Sequence, residues 1–343
     1  MAFWTPGFVI NNGRNLKRGN AVADSSSGRV AERKRHSGLV GFLIRLVKEK
    51  PLGTVGGVIT LLLLLTAIFA DFLAPYGMNE ATGNLLVSPS TEHWLGTDNL
   101  GRDMLSRVIF GARISVTVGL AASTITIIIA VIIGMVSGYI GGKFDLIVQR
   151  FVDTWMCLPA LIILMVIVSF VGPGLWTIII VIGVSWGIIA SRIMRSAVLS
   201  VKENVYVAAA VAIGCPTSRI LIRHILPNIM APVIIEFSVN IPGIILTEAS
   251  LSFLGYGIPP PAPSWGGMLS GSGRRFMYLA PWMVLWPGLA LSILVYGINM
   301  FGDAVRDLLD PRLRGGVGRY GVRVEKEAKI KSEPSAPEGV TKQ

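Results

Sequence analysis

The stretch "GTDNLGRD" at 96–103 approaches the nucleotide-binding pattern Gly-x4-Gly-Lys-Ser/Thr. In that pattern backbone amides cradle phosphates, the lysine reaches them and the hydroxyl holds magnesium. Here Arg102 stands at the lysine position and Asp103 at the hydroxyl position. Asp98, Arg102 and Asp103 are therefore expected to be internal salt-bridge partners of a folded turn. His36, His93 and His224 are scattered, and Cys157 and Cys215 sit in apolar or alanine-rich surroundings, so no metal-ligand spacing or disulfide framework emerges. No catalytic residue, cofactor or metal is expected.

Two stripes of polar residues interrupt apolar runs. Glu236, Asn240, Gly243 and Thr247 recur at helical spacing, as do Ser292, Tyr296, Asn299 and Asp303. A lipid-facing charge costs about 2.5–3.5 kcal/mol on insertion scales. Each stripe should face a pathway or another helix, and Glu236, Asn240, Thr247, Asn299 and Asp303 are the pathway candidates. Pro242 is expected to kink the first stripe, and Glu248 to anchor the adjoining "LSFLG" turn.

The elements that carry these residues must be membrane helices. Of the 343 residues, 52% are hydrophobic and only 15% charged, with a mean hydropathy of +0.63. A soluble domain carries about a quarter charged residues. The net charge of +11 is dispersed between apolar runs rather than gathered in a patch, so no nucleic-acid partner is expected.

A membrane helix needs roughly twenty apolar residues to cross about 30 Å of hydrocarbon. Residues 52–73, 114–138, 229–249 and 282–302 each supply one span. The 38 uncharged residues between Asp153 and Arg192 supply two more, joined by a tight turn at "GPGL", 172–175. Of 31 lysines and arginines, 26 fall in the tails and even-numbered loops of this six-span chain. The positive-inside rule then places both termini in the cytoplasm of a cell (plasma or inner) membrane protein. "GMVSG" at 134–138 and "GVSWG" at 183–187 carry Gly-x-x-x-Gly spacing, either as close helix contacts or as glycines common to membrane helices.

Between the fourth and fifth spans lies "VYVAAAVAIGCPTSRILIRHILPN", too polar and broken to cross. Residues 207–213 should be helical, Gly214 and Pro216 break them, and a second short helix should end near Leu226, before Pro227. A slim alanine surface with Arg219 and Arg223 beside it could enter a partner's groove, or rest on lipid headgroups.

This stretch resembles the cytoplasmic EAA loop of ABC importer permeases, Glu-Ala-Ala followed by Gly and Ile-x-x-x-x-Leu-Pro, at Ala209, Ala210, Gly214, Leu226 and Pro227. Ala208 falls where the family carries its glutamate, and Val211 where it often carries an arginine, so shape and apolar contact must do more of the docking. "HWLGTDNLGRDMLSRVIFGARIS" at 93–115, "TEASLSFLGYGIPPPAPSWGGML" at 247–269 and "NMFGDAVRDLLDPRLRG" at 299–315 resemble the C-type subunit of dipeptide, oligopeptide and nickel permeases.

The resemblance implies an all-α integral membrane protein with six transmembrane helices and a coupling loop at 206–228. Around it would lie a basic N-terminal tail (1–50, disordered to about 40), a first transmembrane helix (51–75), an external segment (76–113), a permease core (114–305) and a basic C-terminal tail (306–343). The implied function is passage of di- or oligopeptides, with nickel or another chelated metal as the alternative within the family. Outside it the alternative is a self-contained channel or secondary transporter, which would need internal repeats or a selectivity motif. The implied partners are a B-type homologous permease, two ATP-binding subunits, an extracytoplasmic substrate-binding protein and the lipid bilayer. Ala208, Ala209, Ala210, Gly214, Arg219, Arg223, Leu226 and Pro227 would form the ATPase-coupling surface, and the loop "GIPPPAPSWGG" at 257–267 is either a rigid turn or a contact for the binding protein.

Overall fold

A computed structural model describes residues 38–309, so the expected disordered tail (1–40, but for its last three residues) and nearly all of the C-terminal tail lie outside the described residues. Five helices are long and apolar enough to cross a membrane. They are α2 (Pro51–Ile68), α4 (Met104–Ile140), α7 (Leu175–Lys202), the continuous helical run 217–253 and α13 (Trp282–Leu309).

The remaining apolar segment departs from the expected pair of straight spans. Before the "GPGL" turn, α5 (Gly142–Cys157) and α6 (Ala160–Val171) meet at Leu158–Pro159 with a bend of 91°. Leu158 adopts an extended backbone, as a residue preceding proline prefers. α6 alone has 12 residues, about 18 Å of helix at 1.5 Å per residue, too short to cross. Counted as one broken span with α5, it makes the sixth.

α4 has 37 residues, about 55 Å, so it extends well beyond the uncharged core 114–138. Its first turn lies in the segment that precedes the apolar run. It ends at Gly141, whose φ of 69° stops the helix. α4 and α7 run parallel and finish together: Lys202 Nζ donates to the Tyr139 carbonyl at 2.6 Å.

Both Gly-x-x-x-Gly motifs serve this one helix pair. A Cβ on Gly134 would stand 2.6 Å from the Ser191 carbonyl oxygen, and one on Gly183 would stand 2.8 Å from Ile125 Cβ. The glycines let the two backbones approach, and a core of Val118, Ala122, Leu164, Ile178 and Ile182 fills the seam. α1 (Gly38–Glu49) lies against the last turns of α13 through Leu46, Ala304 and Leu308. Lys50 Nζ pairs there with Asp307 at 2.6 Å. The short helices α3 (Ala70–Leu73), α11 (Trp265–Leu269) and α12 (Gly271–Phe276) belong to the opposite end, and among described residues the only β features are two isolated bridges.

Candidate functional site

The segment after α7 is built as a two-faced surface. α8 (Val205–Ala212) follows after only Glu203 and Asn204. Val207 and Ala210 turn inward and are buried with Met194 and Val198 of α7 and with Ile220, Ile225 and Ile229. Ala208, Ala209, Val211 and Ile213 are exposed, Ile213 by 84%. Gly214 (φ 75°) closes α8 as a Schellman turn: its N–H donates to the Val211 carbonyl and that of Cys215 to the Ala210 carbonyl, each at 3.0 Å.

Pro216 then precedes α9 (Thr217–Arg219). The second short helix does not stop at Leu226. It widens to a π-helix over Ile220–Ile225, tightens to a 3-10 turn over Leu226–Ile229 and passes into α10 (Met230–Phe253). Pro227 cannot donate to a carbonyl four residues back, and the change of helical pitch around it accommodates the missing bond. The turn thus runs without a break into span five.

Of the residues expected to couple, Ala208, Ala209, Gly214, Arg219, Arg223 and Pro227 lie on the exposed face. Ala210 is buried and Leu226 half-buried against the inner cluster, so these two brace the surface rather than form it.

The two polar stripes differ in their surroundings. On α10, Asn240 is buried and donates through Nδ2 to Glu236 Oε1 at 3.2 Å. Gly243 of the same stripe packs under Trp186 of α7, where a Cβ would stand 2.5 Å from Cη2. Thr247 returns its hydroxyl to the Gly243 carbonyl at 2.8 Å. Pro242 lies inside α10 without ending it. On α13, Asn299 and Asp303 are exposed, as are Ser292 and Tyr296, while Leu294, Gly297 and Ile298 turn inward. The α13 stripe therefore faces away from this chain.

At the other end, residues 96–103 form the folded turn. Asp98 Oδ1 accepts the N–H groups of Leu100 (2.8 Å) and Arg102 (2.9 Å), and Oδ2 accepts Arg102 Nε at 2.7 Å. The expected ion pair of Asp98 and Arg102 is present. Asp103 acts differently: it is the N-cap of α4, accepting from Ser106 N and Ser106 Oγ at 2.8 Å each, and its other oxygen meets His93 Nδ1 at 3.1 Å. Glu248 is fully buried and accepts from Ser252 Oγ of the same helix at 2.6 Å, and Ser264 Oγ of the following segment donates to Ser252 Oγ at 3.3 Å.

Three charged contacts were not evident from sequence. Arg195 Nε donates to Asp145 at 2.6 Å and Arg192 pairs with Asp153, joining α5 to α7. Arg107 is buried near Asp98. The available signal was charges of opposite sign flanking apolar runs that must pack together. Among the described residues, no group of histidine, cysteine or carboxylate side chains could hold a metal.

Residues 130–315 match the family model for the binding-protein-dependent transport system inner membrane component, and residues 41–89 match the N-terminal TM domain of oligopeptide transport permease C. The chain is 40% identical over 269 residues to a dipeptide transport system permease protein of Alkalihalophilus pseudofirmus, covering 78% of this chain and 88% of the relative. It is 40% identical over 270 residues to an oligopeptide transport system permease protein of Bacillus subtilis, with the same coverage. A di/tripeptide transport system permease protein of Pseudomonas aeruginosa is 37% identical over 270 residues, covering 76% and 89%.

Proposed function

Because the chain belongs to the family of binding-protein-dependent transport system inner membrane components, we propose that it forms, with a homologous B-type permease, the pathway of an ABC importer for di- or oligopeptides. The subunit performs no covalent chemistry. Two separate ATP-binding subunits hydrolyse ATP, and an extracytoplasmic binding protein delivers the peptide. The charge-rich end that carries residues 139–143, 202–227 and 307 faces the cytoplasm, together with both termini. The peptide names carried by relatives across more than three-quarters of the chain favour peptides over nickel or another chelated metal.

The observation that carries the coupling role is the two-faced segment 205–227. Its outer face presents the small Ala208 and Ala209 beside exposed Val211, Ile213 and Ile222, with Arg219 and Arg223, an apolar and basic surface over which a groove on an ATPase can close. Its inner face is packed on α7, and its far end continues into α10. A force applied at the surface is therefore delivered to two spans as a rigid-body displacement, which is what switching access between two sides requires. Glu236 on α10, held by the buried Asn240, together with Asn299 and Asp303 on α13, would face the pathway or the homologous permease.

Reconstitution of this chain with its homologous permease, two ATP-binding subunits and binding protein in proteoliposomes tests the assignment. ATP-dependent accumulation of a labelled di- or tripeptide is expected. Accumulation of a nickel chelate in place of any peptide would sink the peptide reading.

A further inference from the structure

A cavity of about 330 Å³ opens at the end of the bundle opposite the coupling segment. This lies within the range of roughly 300–1,000 Å³ typical of small-molecule sites. The external turn contributes Asp98 and Arg102, the start of α4 contributes Arg107, the end of α10 contributes Ser252, and the segment after it contributes Ser264 and the proline-rich backbone 257–263.

The charges on its wall do not balance. Asp98 is the lone carboxylate among the residues lining the cavity, and its oxygens are already engaged by two backbone N–H groups and by Arg102 at 2.7 Å. Arg107 is only 7% exposed, yet its polar contacts are long: 3.5 Å from Nη1 to the Met78 carbonyl and 3.6 Å from Nε to Asp98. A guanidinium has five N–H donors and stays charged. Withdrawn from water with such weak partners, it is costly unless an anion completes it. Across the cavity, Met104, Ile258 and Met268 add apolar wall, while the Ser252 and Ser264 hydroxyls are already engaged, donating to Glu248 Oε1 at 2.6 Å and to Ser252 Oγ at 3.3 Å.

We propose that this cavity binds the C-terminal carboxylate of the transported peptide on its way into the pathway, with Arg107 as the principal cation and the apolar wall receiving the last side chain. The proposal rests on the peptide-importer reading and on this end facing outward. A planar guanidinium meets a carboxylate through two parallel N–H···O bonds, which an uncharged amide cannot reproduce. The site would therefore distinguish peptides with a free C-terminus from C-terminally blocked ones.

The test uses the assembled importer in proteoliposomes, carrying Ser272→Cys in a chain with Cys157→Ser and Cys215→Ser. Ser272 lines the cavity. Its labelling by an impermeant maleimide is followed while alanyl-alanine or its C-terminal amide is added, without binding protein. The free acid should slow labelling and the amide should not; Arg107→Gln should raise the concentration for half-protection about tenfold. Equal protection by acid and amide, or none by either, overturns the site in the unsubstituted protein, whether or not Arg107→Gln assembles. Protection by peptide-free binding protein but not by dipeptide also overturns it, since the carboxylate would then belong to the docked protein. Dipeptide uptake by the importer with its binding protein is measured in parallel. Absent uptake refutes the peptide reading, whereas normal uptake without selective protection refutes only this site.

Discussion

Gly187 of α7 and Ile129 of α4 pack so closely that a Cβ on the glycine would stand 2.7 Å from the Cβ of the isoleucine. Four residues earlier Gly183 meets Ile125 in the same way, and Gly134 meets the Ser191 backbone from the other helix. The α4–α7 pair is thus a seam of backbone against side chain along most of its length.

Enlarging this seam should destabilise the fold. Gly134→Ala would drive a methyl group into the Ser191 carbonyl and the Arg195 N–H, which lie on a helix backbone and cannot rotate aside. Overpacking of this kind costs about 1–3 kcal/mol. The purified complex should melt at a lower temperature, while Gly288→Ala, whose nearest obstacle is Leu269 Cδ2 at 3.7 Å, should melt unchanged or slightly higher. Equal melting temperatures for the two variants would mean that α4 and α7 are not held by close approach.

The turn at Gly214 supplies a second prediction. Gly214→Pro removes the N–H that donates to Val211 and forces a negative φ where the chain has 75°. The inner contacts of Val207 and Ala210 lie before this turn, so membrane insertion should survive. ATP hydrolysis should become uncoupled from uptake in the reconstituted importer. Wild-type uptake and wild-type stimulation of hydrolysis by this variant would remove the coupling role from 205–227.

Sidedness can be read with thiol reagents. Tyr278, 91% exposed, lies at the end that carries the proposed carboxylate cavity, and Cys215 lies in the proposed coupling segment. With Cys157→Ser as background, Tyr278→Cys should react with an impermeant maleimide added to intact cells. Cys215 should react only after permeabilisation. The reverse pattern would invert the whole topology.

For Glu236, substitution separates pathway lining from an interface. Glu236→Gln keeps an acceptor for Asn240, whereas Glu236→Leu leaves that buried amide without its partner at a cost of about 1–3 kcal/mol. If the stripe lines the pathway, both variants should co-purify with the homologous permease, and the leucine variant should change uptake rate or peptide preference. Loss of co-purification by the leucine variant alone would assign the carboxyl to the interface between permeases.

The apolar runs and the placement of 31 basic residues were enough to establish a multi-span helical protein, because hydrocarbon forbids unsatisfied backbone and uncompensated charge. Order and spacing also located the turn at Gly214 and the ion pair of Asp98 with Arg102, both of which depend on residues within a few positions of each other. Relations between distant residues were not legible. The break at Leu158–Pro159 had a local cue in the proline, but its angle of 91° depends on how α5 is held to α7 by Asp145 and Asp153. Asp103 both caps α4 and meets His93, a double part that spacing did not show, because it depends on how Ser106 and His93 are placed around the one carboxylate. The two polar stripes looked equivalent by period, yet α10 turns its stripe toward Trp186 while α13 turns its own away from the chain. Periodicity specifies that a helix has a polar face; the azimuth of that face is set by the packing of the other helices, which is a property of the whole bundle.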